Sequence, residues 1–188
     1  RETLAHGVST DEWELVVRTN ATIDDVLNVF QSRDYRSRIV GFHFGGHANS
    51  YQLMLESSAG GPDAAEAKGL AEFLGQQESL RFVFLNGFST EGHVRRLLDN
   101  HVPVVVATSQ AVDDRVATDF AVRFYQGLAG GADLRGGFTE AEAAIKVERG
   151  DDPRRALAPA RTDEVPGWPW QLHSQDELGK ATQWRLLN

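Results

Sequence analysis

Apolar residues along the chain follow two alternating patterns. In one, they form short unbroken runs. In the other, they recur every three or four positions between polar residues. The unbroken runs are residues 13–17 (WELVV), 38–44 (RIVGFHF), 80–85 (LRFVFL) and 103–108 (PVVVAT), and each predicts a β-strand. Residues 51–56 (YQLMLE) predict a further short extended segment. Helical spacing begins with Ile23, Val26, Leu27 and Phe30, behind Thr22 as a cap and with Asp24 and Asp25 in the positive first turn. Leu70, Phe73 and Leu74 predict a second helix, opened by Asp63 and Glu66 as a capping-box pair. Val94, Leu97 and Leu98 mark a third. The strongest signal is Val116, Phe120, Phe124 and Leu128 at i, i+4, i+8 and i+12, with Ala117 and Ala121 beside them. Thr139 with Glu142 predicts a last capped helix, closed by Gly150.

Strands that are apolar throughout cannot face water on either side. Alternating with helices, they predict an α/β fold, a three-layer α-β-α sandwich around a mostly parallel sheet. The 188 residues suffice for one domain with its own core, and no internal repeat divides them. Residues 150–167, rich in Pro, Arg, Asp and Ala, read as a loop or linker. Residues 168–188 are expected to dock back on the body, because Trp168 and Trp170 are costly to leave in water. The first residue is Arg1 and not Met, which suggests a piece of a longer polypeptide.

Charge narrows the function. Nineteen basic against 27 acidic residues give a net charge of −8, and the basic clusters Arg95-Arg96 and Arg154-Arg155 are only pairs. Nucleic-acid binding needs clustered cations, so it is not expected. There is no phosphate-binding Gly-x-x-x-x-Gly-Lys loop and no Gly-x-Gly-x-x-Gly after a strand. No run approaches the roughly 20 apolar residues of a membrane span, and no secretory leader is visible. The chain contains no cysteine, which excludes disulfides and thiolate metal sites and fits a cytoplasmic protein. His43 and His47 have a metal-like spacing, but that spacing suits a helix face, and these residues fall on a strand and its turn. No metal and no cofactor are expected, and His43 reads as a packed, hydrogen-bonded core histidine.

Chemistry in open α/β sheets collects beyond the carboxyl ends of the strands. Three such ends carry suggestive residues: Gly45-Gly46-His47-Ala48-Asn49, Asn86-Gly87-Phe88-Ser89-Thr90 and Ser109-Gln110-Ala111-Val112-Asp113-Asp114. If these strands are neighbours, a histidine at one turn and a nucleophile at the next form a dyad. Small residues beside them allow backbone amides to line an oxyanion hole. Asp113-Asp114 also reads as an ordinary helix N-cap pair.

The order and spacing of His43-Phe44-Gly45-Gly46-His47-Ala48-Asn49, Leu85-Asn86-Gly87-Phe88-Ser89-Thr90, the 103–108 strand and Asp113-Asp114 resemble the CHAT domain family. CHAT domains belong to the caspase-like cysteine peptidase clan, with separase, metacaspases and caspases. The helix containing Asp119-Phe120-Ala121 and Arg123-Phe124-Tyr125 is similar to the family's helix after the last central strand, and Trp170 and Trp184 resemble a C-terminal pattern of bacterial members. The resemblance implies a caspase-like fold for the single domain 1–188. It makes His47 the dyad histidine and the Ala48 amide an oxyanion donor, with Gly46, Asn86 and Gly87 lining the cleft. Looser similarity to separase makes Asp113 or Asp114 the pocket for a basic side chain. The family's nucleophilic cysteine falls on Phe88, where the pattern is broken, because a phenyl ring can neither ionise nor attack a carbonyl. The resemblance therefore implies a catalytically silent module that recognises a protein or peptide. It would lie beside further domains of a longer bacterial signalling or defence protein. The alternative is an active peptidase, if the parent protein carries cysteine at position 88 or the hydroxyl of Ser89 or Thr90 substitutes. The family also places a strand and a helix before the segment that opens here, so residues 1–7 are expected to end that helix, and an upstream strand is expected to complete the sheet.

Overall fold

The computed structural model describes residues 13–46, 52–56, 62–87, 91–110, 112–150, 167–176 and 178–187. Two strands explain most of its architecture: β4 (Phe82–Gly87) and β5 (Val104–Thr108). Nearly every residue of both is buried, and side chains alternate between the two faces of the sheet. Val83, Leu85, Val105 and Ala107 point into one apolar layer; Phe82, Phe84, Val104 and Val106 point into the other. This is why both runs read as unbroken apolar sequence.

The sheet has the order β1-β4-β5-β6, where β1 is Gly41–Gly46 and β6 is Trp170–Ser174. β1, β4 and β5 are parallel, and β6 runs antiparallel along the far edge of β5. The first layer holds α1 (Ile23–Gln31), α2 (Ala67–Gly75) and α3 (Glu91–Asp99), through Phe30, Leu74 and Leu97 among others. The second holds α4 (Asp114–Ala129) and α5 (Leu134–Arg149), through Phe120, Phe124, Phe138 and Ile145. The architecture is the expected mixed α/β arrangement with a mostly parallel sheet between two helical layers. A separate antiparallel hairpin pairs β2 (Gln52–Glu56) with β3 (Pro62–Glu66). Among the described residues no helix is long and apolar enough to cross a membrane.

Several elements differ from the expected ones. Asp63 and Glu66 do not open a helix; they lie in β3, and α2 begins at Ala67 with no side-chain cap. The hairpin partner decides this, since β2 offers residues 62–66 a ladder that a capping box does not. The last helix begins at Leu134, not near Thr139. Asp133 is its N-cap and accepts from the Gly136 amide at 2.7 Å, while the Thr139 hydroxyl donates back to the Arg135 carbonyl. Gly136 and Gly137 disguise the helix start, although Gly137 is there for a packing reason. The C-terminal segment does more than dock: it adds β6 to the sheet. Residues 13–17 form no strand and have no ladder partner among the described residues. Residues 1–12 and 151–166 lie outside the described residues.

α4 and α5 form an antiparallel pair in close approach. A Cβ built on Gly127 would stand 3.0 Å from the Gly137 Cα and 2.9 Å from Glu140 Oε2. The glycines therefore set the spacing of the pair. Arg149–Asp119 at 2.8 Å and Arg123–Glu148 at 2.7 Å decorate the same interface. These ion pairs are partly exposed and contribute little stability. Gly127→Ala is expected to destabilise the protein by about 1–3 kcal/mol through overpacking, although alanine is the better helix former. A urea midpoint at or above that of the parent would contradict this account of the interface.

Candidate functional site

The parallel ladder between β1 and β4 runs from Gly41↔Phe82 to Gly46↔Gly87. Both strands therefore leave the sheet at the same level and in the same direction. The end of β5 is held beside them, since the Thr108 hydroxyl donates to the Gly87 carbonyl. The structure thus gathers the carboxyl ends of three neighbouring strands at one edge, where open α/β sheets carry their ligands. The sequence continues from Gly46 into His47 and Ala48, and from Gly87 into Phe88. These three residues lie outside the described residues. At Gly46, a Cβ would stand 3.1 Å from the Phe44 ring, so any side chain there requires that ring to shift slightly.

The other expected site residues have defined places. Asp113 is the N-cap of α4, its carboxylate accepting from the amides of Arg115 at 2.9 Å and Val116 at 3.3 Å. Asp114 is exposed in the first turn of the same helix. Asn86 does not present its amide to the strand-end edge. Its Nδ2 donates to the Ala117 carbonyl at 2.8 Å, and its Oδ1 accepts from the Trp170 indole N–H at 3.1 Å. Trp170 is almost fully buried and stacks on Phe120, with centroids 4.2 Å apart and planes 5° from parallel. A single side chain thus ties β4 to α4 and to β6. Sequence reasoning missed this clamp, although an asparagine ending an otherwise apolar strand was a signal of it. Among the described residues no group of three His, Asp or Glu side chains converges to hold a metal ion.

A large cavity among the described residues lies elsewhere. It measures about 1150 Å³ and borders the free edge of β1, between that strand and residues 13–21. His43 stands on its wall. The imidazole stacks on Phe84, its ladder partner, at 4.4 Å and 7°, with the Tyr125 ring 5.7 Å away. It is therefore not the enclosed core histidine expected from the sequence. Its side chain is exposed to the cavity because no strand covers that edge of β1 among the described residues. Even so, the rings packed against the imidazole keep part of it from water, and this desolvation lowers its pKa from 6.5 to about 4. Desolvation likewise raises the Tyr125 phenol above its ordinary value. Asp25 is held below the usual carboxylate range by the Thr22 amide and hydroxyl, the capping box of α1. The Ala181 amide, first among several, lowers Asp176.

Two expectations follow. Asn86→Leu leaves the Trp170 N–H and the Ala117 carbonyl without their partner. It is expected to lower stability by about 1–3 kcal/mol, measured by urea unfolding, with tryptophan fluorescence shifting to the red. An unchanged midpoint would contradict the clamp. His43 is neutral when folded and binds a proton more readily when unfolded. Its contribution is therefore full above the unfolded value near 6.5 and is lost as pH falls toward about 4. His43→Phe keeps the stacking and removes the titration. The variant's stability is expected to fall less steeply than the parent's between about pH 7 and pH 4, and identical pH profiles would contradict the assignment.

No protein-family model and no curated protein matches the chain.

Proposed function

We propose that the chain is a catalytically silent, CHAT-type recognition module that binds an extended protein or peptide segment at the carboxyl edge of β1, β4 and β5. The observation that carries this reading is the in-register exit of β1 and β4 at the Gly46↔Gly87 pair. It supports a cleft between two neighbouring turns whose next residues are His47 and Phe88. A histidine beside a phenylalanine is a dyad position without a nucleophile. Loss of the nucleophile removes rate enhancement without removing binding, since binding draws on the rest of the cleft. An extended segment suits such an edge because backbone amides and carbonyls at strand ends recognise main chain, and side-chain pockets add specificity. In this reading Asp114, exposed at the start of α4, is the carboxylate available to a basic side chain, while Asp113 is committed to capping. The module would act in the cytoplasm within a longer bacterial signalling or defence protein.

The test is cleavage of a diverse peptide library by the parent chain and by Phe88→Cys, each made with its native upstream sequence. Cleavage by the variant alone is the expected outcome, and its preference would define the bound peptide class. Cleavage by the parent would overturn the silent reading and direct attention to Ser89 or Thr90. Inactivity of both, in folded samples, would move the function to another surface.

A further inference from the structure

Cations are used unevenly in this acidic chain. Lys68 pairs with Glu72, Arg95 with Asp99, Arg123 with Glu148, Lys146 with Glu142, Arg149 with Asp119 and Arg185 with Asp133. Arg33, Arg36, Arg38 and Arg81 have no carboxylate partner among the described residues, and they sit in one region. The first three lie in the turn at 32–38 that leads into β1, and Arg81 directly precedes β4. The two approaches are stitched together. The Arg81 amide donates to the Val40 carbonyl at 2.8 Å, and the Ser79 hydroxyl donates to the Ile39 carbonyl at 2.8 Å. The Gly41↔Phe82 pair opens the parallel ladder, so this is the amino edge of the sheet, opposite the candidate cleft.

The turn that presents these side chains is held firmly. The Ser32 carbonyl accepts from the Arg36 amide at 2.9 Å, the Tyr35 carbonyl from the Arg38 amide at 3.0 Å, and the Tyr35 hydroxyl donates to Glu14 at 3.2 Å. Ser37 stands at φ 60°, which a residue other than glycine keeps only where its surroundings fix it. The Arg38 and Arg81 guanidinium groups donate to the backbone carbonyls of Asp34 and Glu78 and not to carboxylates. Arg33 and Arg36 are exposed, and their side chains make no hydrogen bond among the described residues. Within the two segments, four arginines face two carboxylates, Asp34 and Glu78, a local charge of +2 in a chain of −8. Glu14 is the nearby acid that Tyr35 engages, and Asp25 is committed to the cap of α1.

We propose that this amino edge is a docking surface for an acidic polypeptide segment of a partner protein, one that carries closely spaced Asp or Glu side chains. Charge complementarity carries the inference. A guanidinium group without a carboxylate offers a planar fork that matches one, and four such groups stand on adjoining turns. The size of the ligand decides its class. Exposed charges farther apart than about 8 Å are largely screened at physiological salt, so a short segment senses the local positive charge and not the −8 of the whole chain. A nucleic acid or an anionic membrane spans more of the surface and meets the acidic remainder, and phosphate backbones call for more clustered cations than these four. Each exposed contact contributes little alone, so the binding is weak and falls with salt. A partner seated here leaves the carboxyl edge free. The inference is therefore independent of peptide recognition at that edge, and its failure would leave that reading intact.

The experiment is fluorescence anisotropy of a labelled Glu-Ser repeat peptide titrated with the 188-residue protein in low and in physiological salt. Binding is expected at low salt, weakening by about tenfold at physiological salt. Arg33→Glu combined with Arg36→Glu reverses the two exposed charges and removes none of the turn's hydrogen bonds, so circular dichroism is expected to stay that of the parent. Its affinity is expected to fall about tenfold or more, and the neutral pair Arg33→Gln with Arg36→Gln is expected to fall between variant and parent. Arg115→Glu changes an exposed arginine at the start of α4, beside the opposite edge, and is expected to stay within about twofold of the parent. Absence of binding by the parent at low salt would overturn the proposal, as would parent-like affinity in both double variants. An equal loss from Arg115→Glu would overturn it too, by reducing the effect to net charge. Tighter binding of an oligouridylate or of phosphatidylserine vesicles than of the peptide would assign the edge to a nucleic acid or a membrane and overturn the choice of an acidic protein segment.

Discussion

Burial of β4 and β5 on both faces is the constraint on which the rest of the structure depends. A strand enclosed by two helical layers has no polar face, so each of its residues must find an apolar neighbour above or below. Phe82, Phe84, Val104 and Val106 recruit α4 and α5; Val83, Leu85, Val105 and Ala107 recruit α1, α2 and α3. The strands on either side then have different fates. β6 seals the β5 edge by antiparallel pairing, and Trp170 locks it through Phe120 and Asn86. The β1 edge stays uncovered among the described residues, and a large cavity lies there.

The same constraint positions the candidate site. Parallel strands all end on one side of the sheet, so their carboxyl ends are brought together by the ladder itself. Gly46, Gly87 and Thr108 show this in register and in hydrogen bonding. What such an edge can do chemically depends on the side chains that follow the strands. Here the sequence offers a histidine at one turn and a phenylalanine at the next. The proposed reading, binding without turnover, rests on that pair.

Legibility in the sequence followed the physical source of each element. Strands β4 and β5 and helix α4 were readable because burial alone dictates their pattern, and the expected α/β sandwich followed from them. Elements decided by a partner were not. Residues 62–66 carry helix-capping residues and still pair with β2. Residues 13–17 carry a strand pattern and have no ladder partner among the described residues. The start of α5 was obscured by Gly136-Gly137, a pair whose second member is needed for close approach to α4. At the strand-end edge, the capping role of Asp113 was one of its two readings. The inward commitment of Asn86 was not legible, because it depends on Trp170, 84 residues away.

The most direct test of the central claim uses the absence of native cysteine from the chain. His47→Cys and Phe88→Cys introduced together provide two thiols on an otherwise thiol-free background. If the turns after β1 and β4 face one cleft, mild oxidation joins the thiols within one chain, because a disulfide forms only between Cα atoms closer than about 7 Å. The account predicts a monomer that loses both free thiols and keeps its native circular dichroism. Two thiols that remain free in the folded protein, or that pair only between molecules, would contradict a shared cleft at the ends of these strands.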